Sequence, residues 1–175
     1  APEAARARIE LARLQRLMGQ PDALLATLKT LAAHNPAALP LAAPLMVEAA
    51  SATGRVAEVQ ELLQAHYAQA PSLDVLESIV LLETADEATR ATARQRYVQH
   101  LDKERSLVAT AKWLATEKLE HEEFHPQIER ALEHAVKPLL RYRCAACGFE
   151  ARRHFWQCPG CQTWDSYPAR RVEEL

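Results

Sequence analysis

Glycine and aromatic residues are scarce in this chain: 4 of 175 residues are Gly, and only 6% are Phe, Trp or Tyr. A chain so poor in both, and rich in Ala, Leu, Glu and Arg, lacks the turn and strand material of a β-sandwich or barrel. An excess of positive charge is also missing. The formal net charge is -2, which excludes a generally basic nucleic-acid binder. Long apolar runs are absent too. The longest uncharged stretch, Thr30 to Val47, holds His34, Asn35, Pro36, Pro40 and Pro44, a composition that does not suit a spanning helix. Glu3, Arg6, Arg8 and Glu10 interrupt the start, so no export signal is expected there. The chain opens within a helical pattern, as a fragment of a longer protein would. Cysteine is missing from the first 140 residues, and all four cysteines fall between positions 144 and 161.

What is present is 49% hydrophobic residues, enough for a core. The charge is split. Residues 141–175 carry six Arg against four acids, a net +2, while residues 1–140 carry a net -4. This divides the chain into a helical body, residues 1–140, and a chemically distinct tail, residues 141–175. The body contains a repeat. Gly19 and Gly54 stand 35 residues apart, as do Pro36 and Pro71. Between each Gly and its Pro the apolar residues recur at helical spacing: Leu24, Leu28, Leu31 and Ala32, then Val59, Leu62, Leu63, His66 and Tyr67. A Gly closes one helix in the left-handed conformation, and a Pro stops the next after about four turns. The unit resembles the tetratricopeptide family, a helix–turn–helix of period near 34. Further helices are expected from Ser72 to Glu83, from Asp86 to about Leu101 with Ala91, Val98 and Leu101 inward, and from Ser106. A last one follows Pro126, with Ile128, Ala131, Leu132, Ala135, Val136 and Leu139 in one stripe. The fold class is mainly α: a tetratricopeptide-like superhelix of about eight helices whose groove suits a protein partner.

The tail carries the chemistry. Cys144-Ala-Ala-Cys147-Gly148 and Cys158-Pro159-Gly160-Cys161 are two CxxC pairs ten residues apart. Two such pairs can place four thiolates at the corners of a tetrahedron, which suits one zinc or iron ion. Each two-residue gap folds as a knuckle, with Gly148 expected to relieve the first and Pro159 and Gly160 the bend in the second. Four thiolates and one divalent ion together bring the tail's +2 to zero. Two disulfides would require an oxidising compartment, and a redox CxxC would need one pair beside a strand–helix unit. A metal site is the expectation, and the metal supplies folding energy.

These residues also carry a family resemblance. YRCAACGF followed by WQCPGCQTWDSYP resembles the rubredoxin-type module that closes the lipopolysaccharide assembly protein B family, in which the module follows a tetratricopeptide array. The resemblance covers Tyr142 to Pro168. It implies a protein anchored to the bacterial inner membrane by an N-terminal helix, with array and module facing the cytoplasm. It further implies an adaptor that restrains lipopolysaccharide synthesis by promoting degradation of the committed-step deacetylase by a membrane-bound AAA+ protease. No catalytic residues are expected. The knuckle spacer is far shorter than in rubredoxins proper, which argues against the alternative of an iron electron-transfer protein.

Two other patterns need separate readings. His121-Glu122-Glu123-Phe124-His125 matches HExxH, whose chemistry needs both His on one helical face. Pro126 is expected to push His125 off helical angles and so to separate them. Trp156, Trp164, Phe149 and Phe155 beside Arg152 and Arg153 would suit a nucleic-acid zinc ribbon. Aromatic cover for a small metal module explains them better, so no nucleic acid is expected. Arg170 and Arg171 read as solvated charge near a frayed end.

Overall fold

The computed structural model describes residues 2–85, 89–117 and 122–175. Eight α-helices occupy the body among these residues: α1 (Pro2–Leu17), α2 (Pro21–His34), α3 (Leu39–Thr53), α4 (Val56–Gln69), α5 (Leu73–Ala85), α6 (Arg90–Leu101), α7 (Leu107–Leu114) and α8 (His125–Val136). Their boundaries follow local chemistry. Gly19 and Gly54 both take positive φ, 67° and 69°, and end α1 and α3 in the left-handed conformation. Pro36 and Pro71 follow the ends of α2 and α4, each 14 residues long. Ser72 and Ser106 cap α5 and α7, their hydroxyls accepting from the Val75 and Ala109 amides at 3.3 and 2.9 Å.

Each helix packs on the next, and α3 also packs on α5 and on α1. The apolar stripes fill two clusters. The first joins Ile9, Leu25, Leu28, Leu31, Met46 and Leu63 with Val75 and Ile79 of α5. The second joins Leu73, Leu76 and Val80 of α5 with Ala93, Tyr97, Val108 and Val136. Because α5 contributes to both, it is the middle layer of the stack. Its Glu83, 2% exposed, is a buried acid satisfied by Arg96 at 2.7 Å and by the Gln60 and Gln64 amides at 3.2 Å. Among the described residues no helix is long and apolar enough to cross a membrane.

Three expectations fail here. In α6 the buried residues are Ala93, Tyr97 and His100, and Leu101 packs half-buried on the second cluster as expected, while Val98 is 42% exposed; Ala91's side chain and Asp86 lie outside the described residues. Tyr97 and His100 win because their ring bodies bury well, and His100 shares a hydrogen bond with α4's Tyr67. In α8 only Val136 of the expected stripe is buried. This helix is last in the stack, and among the described residues α7 is the main helix it packs on. His125 is not displaced from helical geometry. It opens α8, with Pro126 in the first turn, where a missing N–H costs nothing.

Beyond α8 the chain forms a two-stranded antiparallel ribbon, β1 (Tyr142–Arg143) and β2 (Glu150–Ala151), with Tyr142 opposite Ala151 and Arg143 opposite Glu150. The four-cysteine segment is built on this ribbon. It folds back across the odd-numbered helices: Trp156 packs into the first core cluster and Leu41 of α3 against the cluster holding Tyr142.

Candidate metal centre

The two knuckles are built alike. Cys144 accepts a backbone hydrogen bond from Gly148 at 2.9 Å, and Cys158 accepts one from Gln162 at the same distance. The residue four after the first cysteine of each pair must turn left-handed: Gly148 has φ 78° and Gln162 φ 64°. The second knuckle thus places a side-chain residue where the first has Gly. Gly160 sits in the bend of the second knuckle without a positive φ. Its constraint is steric, since a Cβ there would lie 3.3 Å from the Phe149 side chain.

This geometry brings all four predicted cysteines together, with every sulfur within 4.8 Å of the others. Cys144 Sγ and Cys161 Sγ are 3.8 Å apart, and Cys147 Sγ and Cys158 Sγ 3.7 Å. A metal–sulfur bond of about 2.3 Å sets a tetrahedron edge of about 3.8 Å, so the donor set fits one tetrahedral zinc or iron ion. Cys144 and Cys158 are buried, Cys147 and Cys161 exposed, and no disulfide links them.

The surrounding groups favour thiolate. Ser166 Oγ lies 3.2 Å from Cys144 Sγ, Thr163 Oγ1 3.3 Å from Cys161 Sγ, and the Gly160 amide donates to Cys158 Sγ at 3.4 Å. The Ser166 hydroxyl pulls the Cys144 thiol down to about 6, and Thr163 also draws Cys161 below the ordinary thiol range. At Cys147 the Phe149 amide favours the thiolate, but the neighbouring sulfurs, Cys161 first, push the thiol up to about 12. Sulfurs this close cannot all ionise without a cation among them. Tyr167, its hydroxyl donating to the Phe149 carbonyl at 3.0 Å, closes the buried side; burial pushes its pKa above the ordinary phenol range.

Sequence reasoning singled out the cysteines but not Thr163, Ser166 and Tyr167. The hydroxyl-rich run after the second knuckle was their signal. It also gave no weight to His154, whose ring stands edge-on to Tyr142, Trp156 and Tyr167 and whose Nε2 lies 2.9 Å from the Tyr167 carbonyl. Burial holds its pKa below 6.5. The expectation for Arg171 was wrong. Its guanidinium grips both oxygens of Asp74 on α5 at 2.7 and 2.9 Å, donates to the Leu140 carbonyl and lies 4.2 Å from the centre of the Tyr142 ring. Next to it, Glu173 accepts from the Leu107 and Val108 amides that open α7, and Glu174 from the Leu73 amide that opens α5. Two helix N-termini are thereby capped from the chain's last turn. Trp164, by contrast, is exposed, with Arg6 of α1 4.8 Å from its ring centre.

The structure describes only part of the HExxH pattern. His121 lies outside the described residues, and His125 Nε2 is 3.4 Å from the Leu114 carbonyl.

Comparison with known proteins agrees with this geometry. Residues 142–167 match the family described as a rubredoxin metal binding domain. Over 41 residues the chain is 42% identical to lipopolysaccharide assembly protein B of Escherichia coli (strain K12), and equally to that of Escherichia coli O157:H7. The matched stretch is 23% of this chain, and it spans a tenth of the length of these relatives. Residues 142–167 thus carry the rubredoxin-type module of the lipopolysaccharide assembly protein B family.

Proposed function

We propose that this chain is a non-enzymatic adaptor segment of lipopolysaccharide biosynthesis. Residues 1–140 act as a tetratricopeptide-like domain that binds proteins, and residues 141–175 as a metal-binding module. Cys144, Cys147, Cys158 and Cys161 hold one metal ion, iron or zinc. The observation that carries this reading is the convergence of four sulfurs in a segment similar to a named assembly protein rather than to an enzyme.

A bound ion supplies a cross-link between the knuckles and offsets thiolate charge. The chain's own residues do the rest. Ser166 and Thr163 hydrogen-bond sulfurs, Tyr167 shields the buried side, and Arg171, Glu173 and Glu174 tie the module to α5 and α7. The metal is thus structural in role, and the odd-numbered helices keep their alignment while the module is folded. In this reading the full-length protein is anchored at the cytoplasmic face of the inner membrane. It presents the committed-step deacetylase to a membrane-bound AAA+ protease, and both partners meet the array where the module leaves it uncovered.

Metal analysis after anaerobic, chelator-free purification tests the site, with one equivalent per chain expected; less than half an equivalent overturns it. A visible spectrum then separates red, redox-active iron from colourless zinc. Crosslinking of the anchored full-length protein in cells tests the adaptor role. Recovery of protease and deacetylase supports it, and recovery of neither refutes it.

A further inference from the structure

Between the module and the first helices lies a cleft of about 400 Å³ with a cationic polar wall. Arg13 of α1, Arg152 and Arg153 after β2, and Arg171 all line it, and no acidic residue does. Two of these charges are matched nearby: Arg13 pairs with Glu10 at 2.8 Å and Arg171 with Asp74 at 2.7 Å. Arg152 and Arg153 have no carboxylate partner among the described residues. Arg153 instead lies over the Phe155 ring, 4.5 Å from its centre. The cleft therefore carries two uncompensated guanidiniums. Its remaining wall is largely apolar, with Leu41, Tyr142 and Trp156 among its residues.

This combination specifies a ligand chemistry. Guanidinium forks bind phosphate oxygens bidentately, and stacking on an aromatic ring orients the fork. An excess of two positive charges matches a phosphate monoester, which carries close to two negative charges near neutral pH. A monoanion would leave one guanidinium unmatched. The volume suits a compact ligand, being near the lower end of small-molecule pockets. Arg152 and Arg153 are exposed, so the ligand enters from solvent without displacing the module.

We infer that this cleft binds a phosphate monoester carried on a compact apolar group. A soluble phosphate ester and the headgroup of phosphatidic acid share this chemistry. The inference does not depend on the adaptor reading, because metal content and partner crosslinking are measured separately.

The test uses the whole metal-loaded chain and phenyl phosphate, followed by calorimetry and by tryptophan fluorescence in a W113F/W164F background that leaves Trp156 as the reporter. Saturable binding is expected, weakened about tenfold or more by R152A/R153A and less by R152K/R153K, which keeps the charge but not the fork. Both side chains are exposed, and unchanged metal content and helical circular dichroism verify that the variants fold. Benzoate, a ring with a single charge, is expected not to compete. Co-sedimentation with phosphatidylcholine vesicles containing phosphatidic acid, lost in R152A/R153A, would identify a lipid source. Phenyl phosphate binding without co-sedimentation would identify a soluble ester. Absence of saturable binding, equal binding of benzoate, or unchanged binding in R152A/R153A overturns the inference.

Discussion

Replacing Arg171 by Ala removes the strongest tie between the tail and the array, and the structure sets the size of the effect. The Arg171 and Asp74 side chains are 20% and 11% exposed, and their two contacts are 2.7 and 2.9 Å. Breaking a fully buried pair costs about 3–5 kcal/mol, whereas an exposed pair contributes about 0–1 kcal/mol. Partial solvent access places this pair between, at about 2–3 kcal/mol, including the loss of the Leu140 carbonyl's donor and the Tyr142 stacking contact. In a domain of this length that lowers the melting temperature by roughly 5–10 °C.

The assay is urea unfolding of wild type, R171A, D74N and the double variant, each loaded with metal. A coupling energy of about 1.5–3 kcal/mol is expected from the cycle. Hydrogen exchange is expected to quicken at the N-termini of α5 and α7, where Glu174 and Glu173 cap the helices. A cost for R171A below about 0.5 kcal/mol, with no measurable coupling, would show that the pair is solvent-screened and the reasoning wrong.

Other outcomes are equally specific. C158S/C161S, or removal of metal by chelation, is expected to raise exchange in α5 and α7 as well as in the module; unchanged helix protection would make the module an independent appendage. Q162G is expected to stabilise the metal-loaded chain by about 0.5–1 kcal/mol in urea unfolding, since Gln162 sits at φ 64° where the first knuckle has Gly; a loss of stability would refute this. His100 and His154 both have pKa values held below 6.5 by burial, so each favours folding above pH 6.5 and loses that contribution as pH falls through the range beneath it. Urea midpoints of wild type are therefore expected to fall more steeply between pH 7 and pH 5 than those of H100Q/H154Q, and parallel profiles would refute the assignment.

Much of the body was legible because short-range rules decide it. The turns at Gly19 and Gly54 need positive φ, and the hydroxyls of Ser72 and Ser106 satisfy amides only three residues away. The four sulfurs were legible for a similar reason, since each pair is fixed by its own knuckle. What failed was long-range. Hydropathy ranks Val98 above Tyr97 and His100, but burial in α6 is decided by its neighbours: α5 and α7 cover Tyr97, and the Tyr67 hydroxyl of α4 meets His100. The stripe of α8 was visible, but how little of it its neighbours bury was not. Arg171 reads as an ordinary terminal charge because its partner, Asp74, stands 97 positions earlier.

That distance is also why the last five residues matter to the fold. A frayed end contributes nothing to the elements that precede it. Here the end reaches α5 through Arg171 and Glu174, and α7 through Glu173. The same turn is held to the module's entry strand, where Val172 donates to the Arg141 carbonyl at 2.8 Å and Arg171 covers Tyr142. The chain thus closes a loop from α8 through the four cysteines back to the middle of the array. An ion at the sulfurs shortens the freely moving part of that loop, which lowers the entropy cost of seating the tail. Seating the tail, in turn, supplies carboxylates to two helix N-termini that otherwise expose unpaired amides. Metal binding at the knuckles and helix stability in α5 and α7 are therefore one linked equilibrium, although no sulfur touches either helix.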